Sequence, residues 1–232
     1  MIQSILYSLI AGVGGTALGG AIALLFPRRS LRSIGVLLNL VSGLMMAVVC
    51  FDLIPSSLVG LSPVGVVIAV LFGADFLWLV SYLGNRRGGG FTSATMMAIG
   101  IALHNLPEGL IIGTGDAIDR GLAMALIVGL HDVPEGMAVC APLIAEGKDP
   151  MRALGLSILS GIPTVIGAVI GRAVALIHPT FLSIASAVAS GAMLYVVYSD
   201  TISEAKRLYP SRFSGIIIII GILVGLVITD LL

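Results

Sequence analysis

The chain has 232 residues, of which 58% are hydrophobic and only 10% are charged. Soluble domains carry about 25% charged residues, so this composition excludes a soluble globular protein, a disordered chain and a nucleic-acid-binding domain. Lysine and arginine together number 12, as do aspartate and glutamate. The net charge therefore indicates neither an acidic nor a basic partner, and the positions of the few charges become the informative feature.

Eight apolar runs follow one another along the chain, each near the length of about 20 residues that a membrane-spanning helix needs. They cover residues 4–26, 33–57, 63–84, 93–115, 121–144, 151–176, 180–204 and 213–231. Apolar runs without alternation exclude a transmembrane β-barrel. We therefore expect a single all-α domain over residues 1–232, a polytopic bundle of eight transmembrane helices in the lipid bilayer. In a bacterium this would be a multi-pass protein of the plasma (inner) membrane.

The basic residues predict the orientation, because lysine and arginine accumulate in cytoplasmic loops. With both ends outside, the cytoplasmic loops hold Arg28, Arg29, Arg32, Arg86, Arg87, Lys148, Arg152, Lys206, Arg207 and Arg212. The outer side then holds only Arg120 and Arg172. This asymmetry supports eight spans with the N- and C-termini outside.

Glycines four residues apart predict close helix packing, since association in lipid depends on backbone contact. Such pairs are Gly15 and Gly19, Gly109 and Gly113, Gly167 and Gly171, and Gly221 and Gly225. A homodimer through one of these faces is compatible with the sequence, which names no interface.

Several ionisable residues lie deep in the apolar runs, where each costs a few kcal/mol unless it faces a cavity or a partner. They are Asp52, Asp75, His104, Glu108, His131, Asp132, Glu135 and Asp200, with Glu204 near a cytoplasmic end. No lysine or arginine is available at similar depth. Buried carboxylates without cationic side chains require protons or metal ions. For Asp75 nothing in the surrounding sequence supports a role.

A repeated motif gives the most specific signal. The fourth run contains HNLPEG from His104, and the fifth contains HDVPEG from His131. Histidine and glutamate four residues apart share a helix face. Because the two helices are antiparallel neighbours, His104 is predicted to oppose Glu135, and Glu108 to oppose His131.

The prolines of the motif, Pro107 and Pro134, each remove one helical hydrogen bond, and irregular backbone at membrane depth is tolerated where it lines a cavity. Imidazole together with carboxylate suits borderline divalent metals. Two histidines would not serve an all-oxygen Mg²⁺ or Ca²⁺ site. The sequence thus predicts a cation site at the midplane for Zn²⁺, with Fe²⁺, Mn²⁺ or Cd²⁺ as further candidates.

Two other classes of protein compete with a metal transporter. An intramembrane zinc metalloenzyme would hold three protein ligands and an activated water, usually with H-E-x-x-H spacing, which is not visible here. A proton-coupled solute transporter would use histidine and glutamate as a relay, but would not need both duplicated at mirror positions. A transporter of metal, and not an enzyme, is the prediction.

The motif pair resembles the signature of the ZIP (Zrt-/Irt-like) divalent metal transporter family, most closely its short GufA-like members. The stretches GLMMAVVCFDLIP from Gly43 and GAMLYVVYSDTISEA from Gly191 are similar to the family's second and seventh spans. The resemblance implies eight spans with both ends outside, and an inverted repeat of spans one to three and six to eight around spans four and five. From the sequence alone only the duplication of spans four and five is visible.

The resemblance also implies a binuclear metal site. His104, Glu108, His131 and Glu135 match the primary position, while Asn105 and Asp132 match a second position that shares the two glutamates. Thr164 stands where related members often place a further glutamate, which weakens the second position. Asp52 is a candidate for the outer entrance, and Asp200 and Glu204 are candidates for a cytoplasmic exit path; the alternative for each is a protonated or locally hydrogen-bonded carboxyl.

Overall fold

The structure is a computed structural model that describes residues 2–25, 31–86, 93–114, 118–174 and 179–231. Three arginines used in the orientation argument, Arg28, Arg29 and Arg87, lie outside these ranges. The side chains of Arg86, Arg120 and His131 are also outside the described part, although their backbone is helical.

A helical segment lies at the position of each predicted span. These segments are α1 (Ile2–Leu24), α2 (Leu31–Leu58), α3 (Pro63–Arg86), α4 (Ser93–Thr114), α5 (Ile118–Ala145), α6 (Pro150–Ser160 and Ile162–Val174), α7 (Pro179–Val196, Val197–Thr201 and Ile202–Leu208) and α8 (Ser214–Leu231). By length and composition, α1, α2, α3, α6 and α7 each qualify as a membrane span. The helical class is thus confirmed, whereas the eight-span topology stays a prediction.

Prolines and one aspartate define where several helices begin. Pro63, Pro150 and Pro179 each occupy a first helical position, where a missing N–H removes no helical bond. Asp149 precedes α6, and its Oδ1 accepts a hydrogen bond from the backbone N–H of Arg152 at 3.0 Å. The turn before it contains Gly147 at φ 77°, a conformation that glycine adopts without steric penalty.

Three of the helices contain a wider π-helical turn. These turns are Leu9–Gly14 in α1, Val49–Leu53 in α2 and Val197–Thr201 in α7. The Thr201 hydroxyl donates to the carbonyl of Val196 at 3.3 Å, five residues earlier. π turns occur frequently at functional sites, and two of the three contain an acidic residue, Asp52 or Asp200.

The helices associate as four closely packed pairs. In the first group of helices α1 packs along α5 and α4 along α6, and in the second α2 packs along α8 and α3 along α7. The first group includes both copies of the repeated motif. Contacts of α4 with α7 and of α5 with α2 join the two groups, so the motif helices lie where the groups meet.

Within the second group, part of the sequence of α2 recurs in α7 at an offset of 148 residues, so that Asp52 corresponds to Asp200. Residues 43–54 and 191–202 share Gly, Met, Val, Val, Asp and Ile at matching positions. A Cβ on Gly43 would collide with the backbone of α8, and one on Gly191 with the matching part of α3. The π turns of α2 and α7 coincide in this alignment. Helices α2 and α3 are therefore repeated as α7 and α8, which agrees with part of the inverted repeat that the family resemblance implies.

Glycines bring α4 and α6 into backbone contact. A Cβ on Gly109 would overlap the carbonyl of Thr164, and one on Gly113 would overlap that of Ala168. From the other side, Gly167 lies against Leu106 and Gly171 against Leu110. Two of the predicted glycine faces thus pack on each other, and they do so directly beside the motif of α4.

Candidate metal site

Three side chains of the repeated motif meet in a fully buried cluster between α4 and α5. His104 Nε2 lies 2.8 Å from Glu108 Oε1 and 3.3 Å from Glu135 Oε1. One candidate ligand atom from each of the three side chains lies within 4.8 Å of the other two. The opposition of His104 and Glu135 that the antiparallel register predicts is therefore confirmed, and a single cation could contact all three side chains.

His131 belongs to the predicted ligand set, but its side chain lies outside the described part of the chain. Its backbone is in α5, one turn before Glu135. The predicted contact between Glu108 and His131 consequently stays a prediction.

Asn105 and Asp132 follow the two histidines and are both completely buried. Asn105 Nδ2 donates to the backbone carbonyl of Ser160 in α6 at 3.0 Å, and among the described residues its Oδ1 has no hydrogen-bond partner. Asp132 lies within hydrogen-bonding range of the carboxyl groups of Glu108 and Glu135, and no amide, hydroxyl or imidazole of the described chain donates to its oxygens. Buried polar atoms normally have partners, so these oxygens are available to a cation.

The sharpest break near the cluster lies in α6 and not at the motif prolines. Both α4 and α5 continue through Pro107 and Pro134. Helix α6 is interrupted at Gly161, directly after the Ser160 carbonyl that Asn105 contacts. The Gly161-x-Pro163 sequence is the signal that could have predicted this break.

Thr164 lies one turn beyond this break and is completely buried. Its side chain packs against the position of Gly12 in α1, and its carbonyl packs against Gly109. Its hydroxyl has no hydrogen-bond partner among the described residues. The position expected to carry a glutamate therefore offers a neutral oxygen in a closely packed place.

The three predicted pathway residues lie away from the cluster, in the second group of helices. Asp52 is partly buried and accepts a hydrogen bond from the hydroxyl of Ser56 at 3.3 Å. Asp200 is partly buried as well, and its Oδ2 has no hydrogen-bond partner within the described ranges. Glu204 is buried and pairs with Arg207. The structure does not bring these three carboxylates into contact with His104.

The charge balance of the cluster favours a cation. Glu108, Glu135 and Asp132 contribute three carboxylates around one described imidazole. No lysine or arginine occurs in residues 93–114 or 121–145, which include both motifs. Burying carboxylates without compensation is strongly unfavourable, so the site requires protons or a metal ion. Imidazole and carboxylate together suit borderline divalent metals.

Comparison with known proteins agrees with this chemistry. The profile of the family described as "ZIP Zinc transporter" matches residues 85–232, which include both motifs. "Zinc transporter GufA" of Myxococcus xanthus is 34% identical over 129 residues, which are 53% of this chain and 51% of that protein. "Zinc transporter ZupT" of Salmonella heidelberg is 26% identical over 237 residues, which are 91% of this chain and 90% of that protein.

The coverage differs between the two relatives. The match spans about half of the Myxococcus protein and nine tenths of the Salmonella one. Both are named as transporters, which places the chain with transporters and not with metalloenzymes. The family profile covers more than half of the chain and includes the buried histidine–glutamate cluster. The chain belongs to the ZIP zinc transporter family.

Proposed function

We propose that this chain transports divalent metal cations, above all Zn²⁺, across the membrane into the cytoplasm through the buried cluster. One observation carries the proposal: His104, Glu108 and Glu135 converge, fully buried, on a volume that one ion could occupy. The names of the relatives support zinc as the substrate. The same ligand types leave Fe²⁺, Mn²⁺ and Cd²⁺ as further substrates.

The proposed ligand set extends beyond the three side chains in contact. His131 completes the primary position, since it is one turn from Glu135 on the same helix. Asn105 and Asp132 form a second position, supported by their buried oxygens without hydrogen-bond partners in the described structure. Asp52 serves the outer entrance and Asp200 the inner exit.

The topology in this proposal has eight spans with both ends outside, and in a bacterium the membrane is the plasma (inner) membrane. It is supported by the asymmetry of the basic residues and by the five helices that qualify as spans. Access alternates when the group of α1, α4, α5 and α6 moves against the group of α2, α3, α7 and α8, as transporters with repeated halves do. The cluster lies between α4 and α5, two helices of the first group that contact the second group, so we expect such movement to open it to each side in turn.

Zinc flux into proteoliposomes tests the proposal. Purified protein is placed in vesicles with a zinc-sensitive dye inside, and Zn²⁺ is the only solute added. We expect uptake that depends on the protein, because the ion itself is the substrate. The His104→Ala variant should abolish uptake, whereas Asp75→Asn should not, since Asp75 is an exposed carboxylate remote from the cluster.

The same assay separates the alternatives. A solute transporter would leave the dye unchanged until its organic substrate is added, and a metalloenzyme would bind zinc without moving it. Folded wild-type protein that gives no flux would therefore contradict the proposal. Membrane vesicles of defined orientation, loaded on one side, test the direction, and export from the cytoplasmic side alone would refute import.

A further inference from the structure

Helix α3 has a charged side chain on its lipid-facing side. Residues Pro63–Leu83 qualify as a membrane span, and Asp75 is the one charged residue in their sequence. The midpoint of this span is Gly73, so Asp75 lies about 3 Å from it along the axis, at 1.5 Å per residue. Asp75 is nevertheless exposed on the surface of the chain. A carboxyl group at this depth is costly unless a partner covers it.

The described chain holds α3 from the side opposite Asp75. Leu77 is completely buried against α7, and Gly73 lies against the carbonyl of Val188 in the same helix. Leu77 and Gly73 are each two residues from Asp75, which corresponds to about 200° around a helix of 3.6 residues per turn. Asp75 therefore points away from α7 and into the bilayer.

The exposed residues around Asp75 recur at the spacing of a coiled-coil interface. Steps of four, three, four and three residues lead along one face of α3, and every member is exposed. Side chains at this spacing face the partner when two helices pack side by side. We call this face the α3 seam, and its members are Ile68, Phe72, Asp75, Leu79 and Tyr82.

Two pairs of stacked rings lie on either side of Asp75. The ring centroids of Phe72 and Phe76 are 6.5 Å apart, and those of Trp78 and Tyr82 are 5.6 Å apart. All four side chains are exposed. Aromatic side chains supply large contact areas at a low cost in conformational entropy. The α3 seam is thus a preformed contact surface with one polar group near its centre.

The glycine faces predicted for helix association are occupied within the chain itself. The faces of α4 and α6 pack on each other, the face of α1 packs on α5, and that of α8 packs on α2. A second copy of the chain cannot use these faces without separating helices that are in backbone contact. The α3 seam, by contrast, is uncovered in the described chain.

A second copy in the same orientation complements the α3 seam. When a two-fold axis along the membrane normal relates two copies, their α3 helices run parallel and equal residues meet. Each copy then offers the other a carboxyl group at the same depth, whereas an acyl chain offers no polar group there. The two carboxyl groups hold a proton between them, since like charges this close cannot both persist. The resulting O–H···O bond joins the two helices.

We propose that two copies of the chain associate through the α3 seam, with the Asp75 carboxyl groups hydrogen-bonded across the two-fold axis. This polar pair fixes the register, because a slide of one copy would place each carboxyl group against an apolar side chain. Helix α3 belongs to the second group, so each copy keeps its own metal cluster in the first group. The inference rests on α3 being a membrane span and not on the transport of metal.

Cross-linking of introduced cysteines tests the contact surface. The purified protein is placed in lipid vesicles at high dilution, after the exposed Cys50 has been replaced by serine. Ile68→Cys places a thiol on the α3 seam, and Val67→Cys is its matched control. The two positions are adjacent and similarly exposed, at 63% and 57%, but face different directions. We expect a short thiol cross-linker to join Ile68→Cys into dimers and to leave Val67→Cys monomeric.

Substitutions of Asp75 separate the polar pair from apolar packing. The dimer constant is measured by energy transfer between labelled copies as the ratio of lipid to protein is raised. Asp75→Leu keeps a side chain in the α3 seam but removes the hydrogen bond, so the dimer should weaken about 3- to 30-fold, the range for one interhelical hydrogen bond in lipid. Asp75→Asn retains a group that hydrogen-bonds between paired helices, so its dimer should persist.

The outcomes are distinct. Equal cross-linking of Ile68→Cys and Val67→Cys, or none of either, would overturn the inference, as would a dimer of Asp75→Leu as tight as that of the unmodified protein. In native membranes, a product of Ile68→Cys whose mass is not twice that of the chain would show that another protein covers the α3 seam. Dimers without zinc flux in the same vesicles would refute the proposed function and uphold this inference.

Discussion

Replacing Gly109 with alanine tests how the packing of α4 against α6 positions the cluster. A Cβ at this position would overlap the carbonyl oxygen of Thr164, which belongs to the backbone and cannot rotate away. The two helices must therefore separate. Asn105 lies one turn before this glycine, so its hydrogen bond to the Ser160 carbonyl of α6, now 3.0 Å, would change as well.

The magnitude follows from two opposing effects. In a helix interior alanine is favoured over glycine by about 0.5–1 kcal/mol. Overpacking of a closely packed contact costs about 1–3 kcal/mol. We expect a net destabilisation of about 1–2 kcal/mol, which lowers the Tm of a chain of this size by roughly 2–8 °C. Zinc uptake should also fall, because α4, which holds His104 and Glu108, is displaced relative to α6.

Gly155 provides the matched control, since it is also in a helix but a Cβ there meets nothing within 4 Å. Gly155→Ala should raise the Tm slightly and leave uptake unchanged. Both variants are followed by thermal unfolding in detergent and by flux in proteoliposomes. If Gly109→Ala were as stable and as active as Gly155→Ala, α4 and α6 would not be in backbone contact, and the reasoning would fail.

Two further predictions concern the bound metal. Uptake should decline from pH 8 to pH 5, because protons compete with the ion for histidine and carboxylate ligands and an unperturbed imidazole titrates near pH 6.5. An uptake rate that does not change with pH would argue against histidine ligation. The second metal position should be weak, since Thr164 supplies no charge to offset the repulsion of two nearby cations. Asp132→Ala should therefore reduce uptake less than His131→Ala, and Thr164→Glu should raise the bound zinc from one ion to two, as calorimetry can count. Two equally tight ions in the unmodified protein would contradict this.

The sequence predicted the parts of the structure that depend on local spacing. Apolar runs give helices at their observed places, and the His-x-x-x-Glu spacing with an antiparallel register brings His104 to Glu135. The glycine faces were also predictable, because spacing four defines a helix face whatever it packs against. Which faces meet, such as Gly109 with Thr164 in α6, depends on tertiary packing and could not be derived from spacing.

Other features escaped prediction for physical reasons. Residues 43–54 and 191–202 are similar in sequence, but half of the positions differ. Only the matching packing of the two segments identifies them as a repeat. The π turns depend on backbone hydrogen bonds five residues apart, such as that from the N–H of Ile202 to the carbonyl of Val197, which no apolar pattern specifies. The Asn105 contact with Ser160 requires the break at Gly161.

Where α4 and α6 pack together, glycines of one helix lie against backbone carbonyls of the other at regular intervals, and this spacing restricts sliding of the two helices. Gly109 faces the carbonyl of Thr164, and four residues later Gly113 faces that of Ala168. The next register in which glycine again meets a carbonyl requires a slide of four residues, or about 6 Å at 1.5 Å per residue. Smaller slides would press larger side chains onto the backbone.

Glycine–carbonyl contacts of the same kind join α1 to α5, where Gly19 lies against Val133 and Gly136 against Thr16. Each pair of helices therefore shifts as one rigid unit, and Asn105 keeps its distance to Ser160 throughout. Within the first group, a change in metal coordination can then arise only where these two pairs of helices meet, across the 3.3 Å between His104 Nε2 and Glu135 Oε1.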